Sequence, residues 1–168
     1  MSPIFWIPAL VTVLVAAVID GHSRRIPNWL SLPSLLLAFV LNIATSGFAG
    51  LRQGVLGFGL ALLFFGVQCW WGNMGMGDLK LGCAIGSWIG PAPLAFALVV
   101  TAMAGGVLAV SYSLLYKNLP STLEKAGTLL TSIPDRRLLA AQPSVTQSIP
   151  YAPAMAIGVI VSMFAYWR

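Results

Sequence analysis

Two aspartates stand apart from the other charged residues by where they fall. Asp78 lies in the octet Asn73-Met74-Gly75-Met76-Gly77-Asp78-Leu79-Lys80, between two long apolar segments. Asp20 ends another apolar segment, shortly before Ile26-Pro27-Asn28. The chain has only four acidic residues, and the other two, Glu124 and Asp135, sit in a polar stretch near lysines and arginines. A carboxylate at the edge of a membrane-embedded segment is expensive to keep. Two of them brought together in a partly dry site cannot both ionise cheaply, so the pair holds one proton near neutral pH. The ionised member can take a proton from water while the protonated member donates to a carbonyl oxygen. That is aspartic-protease chemistry, without a metal or a nucleophilic side chain. The two apparent pKa values belong to the pair.

The glycines before Asp78 predict a turn that bends, adopts positive φ and lets another chain approach closely. Glycine and aspartate are also ordinary turn residues, so a polar hairpin at the membrane surface is the plain alternative. His22 precedes Ser23, but sequence neighbours do not make a catalytic geometry, and a serine hydrolase is not expected. As the only histidine, His22 excludes a metal site built from histidines and reads as a solvated loop residue. Cys69 and Cys83 form no Cys-x-x-Cys pair and read as small packing residues. No metal and no cofactor is expected.

The elements that must position these residues follow from composition. At 168 residues, 58% hydrophobic and 8% charged, the chain is too apolar for a soluble domain and reads as one membrane-embedded domain over 1–168. It is expected to be all-α, because helices satisfy their own backbone groups in lipid and no barrel-like alternation is present. The net charge of +5 is scattered over loops, which favours lipid headgroups over nucleic acid as partner.

Six apolar spans are expected. Ile4 to Ile19 is the first; no lysine or arginine precedes it and no small-x-small cleavage site follows, so it is kept as a membrane helix. Gly21 to Arg25 is a polar turn, and Trp29 to about Ile43 is the second span, with Pro33 as a possible kink site. Thr45 to Gln53 reads as a short loop and Gly54 to Trp71 as the third span. Leu79 to Ile89 is a short fourth span whose Gly82, Gly86 and Gly90 share one face, so that a neighbouring helix can come close. Gly90-Pro91-Ala92-Pro93 is a tight reversal, Leu94 to Tyr116 the fifth span, and Ile149-Pro150-Tyr151-Ala152-Pro153 leads into the sixth. Lys117 to Ser148 is the only long polar region, expected as a cytoplasmic loop at about 117–149 that contacts the membrane or docks substrate, with a plain tether as the equal alternative.

With the N-terminus outside, Arg24, Arg25, Lys80, Lys117, Lys125, Arg136 and Arg137 face the cytoplasm, leaving Arg52 and Arg168 outside. This divides the nine basic residues seven to two. The same arrangement puts Asp20 and Asp78 on one face, the cytoplasmic one.

Asp20 with Ile26-Pro27-Asn28, then Gly75-Met76-Gly77-Asp78, then Ile149-Pro150-Tyr151-Ala152-Pro153 before a last helix, resembles the prepilin peptidases, membrane aspartic proteases of the Gly-x-Gly-Asp type. The resemblance covers nearly the whole chain in motif order. It implies a bacterial inner-membrane enzyme that removes the basic leader from type IV pilin-like precursors at the cytoplasmic face. It makes Asp20 and Asp78 the catalytic pair, has Gly75 and Gly77 shape the loop that presents Asp78, and has Pro27, Asn28, Pro150 and Tyr151 build the surrounding site. Larger members carry paired Cys-x-x-Cys motifs and methylate the new pilin N-terminus. This chain lacks those cysteines, so it resembles the short form of tight-adherence or Flp pili, and methyltransferase activity is not expected. Presenilin-type proteases are a more distant match, since their other aspartate follows tyrosine whereas Asp20 follows Ile19. Two other classes compete: a small proton-coupled transporter, which would show inverted repeats and a midplane site, and a noncatalytic assembly factor.

Overall fold

The computed structural model describes residues 5–23, 26–70, 74–115 and 151–166, with 108–115 described by backbone alone. Every regular element among them is helical: α1 (Trp6–Ser23), α2 (Asn28–Trp70), α3 (Met76–Ile89), α4 (Pro91–Leu115) and α5 (Ala152–Tyr166). α1 and α2 are each long and apolar enough to cross a membrane, and α4 and α5 contain shorter apolar helices. The outward faces are apolar as well. Ile7, Val11, Leu14 and Val18 form an exposed stripe on α1, and Leu63, Val99, Met103 and Phe164 are exposed elsewhere. A soluble protein would clothe such surfaces in charge; here they meet lipid, and the chain is an integral membrane protein.

The inner stripe of α1 explains how Asp20 is aimed. Trp6, Ala9, Val13, Ala16 and Asp20 recur at intervals of three and four residues and all are buried, so the carboxylate continues the face that packs against the bundle. α1 also runs on through Gly21, His22 and Ser23, a stretch expected to be a polar turn.

The largest correction concerns residues 45–53, expected as a loop between two spans. They lie inside α2, a 43-residue helix whose only non-helical residue is Gly47, at φ 57° and ψ −137°. Such a positive φ is one that glycine reaches without steric cost. A straight helix would separate Phe39 and Phe58 by roughly 28 Å at 1.5 Å per residue, yet their rings stand 6.2 Å apart. The single residue Gly47 therefore folds α2 back on itself as a helical hairpin. The break falls there and not at Pro33, which sits within helix. At the expected reversal Gly90 does take a positive φ, 73°, and α4 starts at once with Pro91, a position that suits proline.

α3 packs chiefly on α2, and α5 on α4 and α1. The glycine face of α3 is the reason for the first contact: a Cβ on Gly82 would strike the Phe65 ring, and one on Gly57 of α2 would strike the carbonyl of Gly86. Polar clamps reinforce it. Asn42 donates its amide to the carbonyls of Ala38 (2.8 Å) and Ser87 (2.9 Å). Trp88 Nε1 donates to Ser34 Oγ at 2.9 Å, and Ser34 Oγ lies 2.9 Å from Thr12 Oγ1, joining α3, α2 and α1. In lipid such bonds stabilise by roughly 1 kcal/mol each.

These contacts sort the bundle into two ends. Phe5 meets Trp88, Asn42 meets Ser87 and Ser162 Oγ donates to the carbonyl of Pro93, marking the end that holds Gly47 and Gly90. The end of α1 that carries Asp20 meets the start of α5 at the other.

Candidate active site

Asp20 is 6% exposed. Its Oδ2 accepts the backbone N–H of Ala152, the first residue of α5, at 3.2 Å. Asp78 is half-buried in the first turn of α3, ahead of the apolar stretch 79–89. Its carboxyl is pushed up to about 6, first by burial and second by the charge of Asp20, with the Gly75 backbone hydrogen bond opposing. The two aspartates are thus in electrostatic contact at the same end of the bundle, and the charge of Asp20 discourages ionisation of Asp78.

The glycines before Asp78 act differently from the expectation of positive φ. Gly75 is the N-cap of α3, at φ −75° and ψ 145°, and Gly77 is helical; among the described glycines only Gly47 and Gly90 have positive φ. What Gly77 supplies is proximity. A Cβ there would lie 3.2 Å from Cβ of Ile26, so the missing side chain lets the α1–α2 connector close onto the first turn of α3. The Gly75 carbonyl accepts the N–H of Asp78 at 3.2 Å and starts the helix.

The other expected site residues fall as follows. Pro27 precedes α2, and its carbonyl accepts the N–H of Leu30 at 3.2 Å. Asn28, exposed at the start of α2, accepts a hydrogen bond from Lys80 Nζ at 2.9 Å through Oδ1. This bond and the Ile26–Gly77 approach fasten the connector to α3 on either side of Asp78. Tyr151 stands just before α5, edge-on to Phe65 with ring centroids 6.4 Å apart, and packs over Gly105, where a Cβ would lie 3.0 Å from its ring. Burial and then the charge of Asp78 push its hydroxyl up, so Tyr151 borders the pair. Pro150 and the loop 117–149 lie outside the described residues. His22 is exposed in the last turn of α1. Cys83 is buried, Cys69 is half-buried with its thiol 3.7 Å from the Gly75 carbonyl, and both are free. Among the described residues no cluster of His, Cys, Asp and Glu could hold a metal.

One participant was not anticipated from side chains at all, the amide of Ala152. Its only sequence signal is its place at the start of a helix behind Pro150-Tyr151. A cavity of about 550 Å³ lined by Phe5, Asn42, Ser46, Ala49, Gly50, Arg52 and Gln53 lies at the Gly47 end. It belongs to the end away from the aspartates, and the acid–base geometry near Asp20 is the better guide to chemistry.

The arrangement offers two carboxyl groups, one held by a helix terminus and one reluctant to ionise, beside a connector closed by a lysine and a glycine. It can activate water and protonate a carbonyl oxygen. The model of the type IV leader peptidase family matches residues 7–110. A prepilin leader peptidase/N-methyltransferase of Escherichia coli K12 is 32% identical over 121 residues, 66% of this chain and 52% of that protein. Proteins of the same description match from Burkholderia pseudomallei, 31% identical over 57% of this chain and 33% of theirs, and from Neisseria gonorrhoeae, 32% over 55% and 34%. The matched segments thus span about half to a third of these curated relatives. No solved structure matches the chain.

Proposed function

This chain belongs to the type IV leader peptidase family, and from that premise we propose that it is a membrane aspartic endopeptidase that removes the leader from type IV, Flp-like prepilins. Asp20 and Asp78 are its catalytic pair. The observation that carries the reading is their electrostatic contact: two carboxyls 58 positions apart in sequence, one at the end of α1 and one at the start of α3, with the charge of Asp20 reaching Asp78. A general acid and a general base facing one carbonyl are sufficient for hydrolysis.

In this account six membrane-crossing segments run up and down, with α2 supplying two of them on either side of Gly47. The N-terminus is outside and the aspartates open to the cytoplasm of a bacterial inner membrane. The up-and-down order of the helices and the seven-to-two division of basic residues support that orientation. The prepilin enters with its leader in the cytoplasm and its hydrophobic helix in the bilayer, so the scissile bond lies at the level of Asp20 and Asp78. Gly77 and Ile26 close one wall of the site, Gly75 starts the turn that presents Asp78, and Asn28 with Pro27 orders the connector. Tyr151, with Pro150 before it, lines the side toward α5. The chain resembles the form associated with tight-adherence pili.

The test is leader removal in cells. Asp20→Asn and Asp78→Asn, each co-expressed with a Flp-like prepilin, are expected to leave the precursor unprocessed while the variant stays in the membrane at normal abundance. A processed precursor in either strain would refute the pairing.

A further inference from the structure

The two aspartates are not held alike. Asp20 is the more buried, and a carboxylate taken from water must find donors to carry its charge. It has one in the N–H of Ala152, 3.2 Å from Oδ2. That N–H is one of those a helix leaves without an internal partner, and the start of a helix carries partial positive charge. Asp78 stands in the first turn of α3 and meets the Gly75 amide, yet burial and the charge of Asp20 outweigh that bond. Among the described residues the nearest cation in sequence, Lys80, two residues on, gives its ammonium to Asn28. Among the described residues, the Cys69 thiol on α2 and the Tyr151 hydroxyl ahead of α5 are also in electrostatic contact with Asp78, and neither brings positive charge. His22, two residues beyond Asp20, is exposed.

Resting on the reading that the two aspartates form the catalytic pair, we propose that the Ala152 amide at the head of α5 makes Asp20 the ionised partner and general base, and leaves Asp78 as the proton donor. Asp20 takes a proton from water, the water oxygen bonds to the scissile carbonyl carbon, and the proton of Asp78 passes to the carbonyl oxygen. When the tetrahedral species collapses, the carbon–nitrogen bond breaks and the leaving nitrogen takes the proton from Asp20. A hydroxyl proton of that species returns to Asp78, and the pair is restored to its starting charge. In this scheme α5 is part of the catalytic apparatus through one backbone atom.

The substitution that removes the atom is Ala152→Pro. Proline at the first position of a helix lacks only an N–H that the helix does not use, and Tyr151 before it is already outside the helix, as a residue preceding proline prefers. With reconstituted enzyme and a Flp-like prepilin, cleavage is measured against pH. The acidic limb, which reports the base, is expected to move up by about one to two pH units, the usual worth of a hydrogen bond to a charge, while the alkaline limb stays. An unmoved acidic limb, or movement of the alkaline limb alone, overturns the assignment.

Ala152 is buried, so a second measurement stands independently of that variant. The infrared C=O band of a protonated carboxyl is recorded at about pH 5, above the ordinary carboxylate range. Only two other acids, Glu124 and Asp135, are present, and they are common to all samples. The band is expected in the unsubstituted enzyme and in Asp20→Asn, and to diminish in Asp78→Asn. A band kept by Asp78→Asn and lost by Asp20→Asn reverses the roles. Failure of the underlying reading looks different: one of the Asp→Asn variants would cleave at the unsubstituted rate whatever the band does.

Discussion

Gly57 of α2 and Gly86 of α3 meet backbone to backbone, so that a Cβ on Gly57 would run into the Gly86 carbonyl. This approach seats α3, and with it Asp78, against the hairpin of α2. In a membrane, where burying apolar surface gives little drive between helices, close packing at small residues takes over that role. Gly57→Ala and Gly86→Ala are each expected to destabilise the protein by about 1–3 kcal/mol through overpacking. Gly59, two residues from Gly57, has nothing within 4 Å of its would-be Cβ. Gly59→Ala is therefore expected to leave stability unchanged or raise it by about 0.5–1 kcal/mol. Thermal unfolding in detergent separates the three; equal loss at 57 and 59 would contradict the packing argument.

The glycines before Asp78 are expected to differ in sensitivity. At Gly75 the backbone is extended and the nearest atom to a Cβ is Asp78 Oδ2 at 3.5 Å, ordinary contact. At Gly77 a Cβ would stand 3.2 Å from Cβ of Ile26, and the connector must shift to admit it. Gly77→Ala should lower prepilin cleavage at least tenfold more than Gly75→Ala, with both proteins folded. Rates measured with reconstituted enzyme decide it, and equal rates would remove the role given to the Ile26 contact.

The carboxyl of Asp78 links stability to pH. Its folded-state value of about 6 lies above the ordinary one of 3.8, so between those values the folded protein holds a proton that the unfolded chain has released. Stability therefore falls as pH rises through that window and levels off above it. Asp78→Asn lacks the titrating group and should gain on the unsubstituted protein from about pH 4 to pH 6, keeping its lead beyond. Parallel melting curves at pH 4, 5, 6 and 7 measure this; a difference constant with pH would show that Asp78 is not shifted.

The Lys80–Asn28 hydrogen bond is exposed, and its direct energy is expected to be small, about 0–1 kcal/mol. Its effect on cleavage should be larger than on stability, because it ties the connector to the helix carrying Asp78. In a double-variant cycle, Lys80→Ala and Asn28→Ala are expected to lower the rate by similar factors and to be non-additive together. Fully multiplicative effects would mean that the two residues act separately.

Much of this fold is written in spacing. The three-and-four rhythm Trp6, Ala9, Val13, Ala16, Asp20 aims the aspartate inward, and the four-residue recurrence of Gly82, Gly86 and Gly90 marks the face that α2 covers. Gly90-Pro91 reverses the chain as its residue types dictate. The Gly47 corner was hidden because the polar and small residues from Thr45 to Gln53 read as a loop, and only the backbone shows that a single residue with positive φ suffices where a nine-residue loop was expected. The positive φ expected before Asp78 failed for a related reason: glycine serves both conformational freedom and close approach, and at Gly77 the neighbour, Ile26, lies 51 positions away in the chain. The Asn42–Ser87 clamp and the Ala152 amide join partners 45 and 132 residues apart. The first is an uncharged pair without a motif and the second a backbone atom, so neither leaves a mark in residue type.

The most direct measurement of the central claim is the initial rate of leader removal from a prepilin by reconstituted enzyme carrying Asp20→Asn, Asp78→Asn or both. If the aspartates act as one acid–base unit, each single substitution lowers the rate by roughly a thousandfold or more and the double is no slower than the worse single, since groups that work as a unit are not additive. A single variant within tenfold of the unsubstituted rate, or a double whose loss is the product of the two, would contradict it.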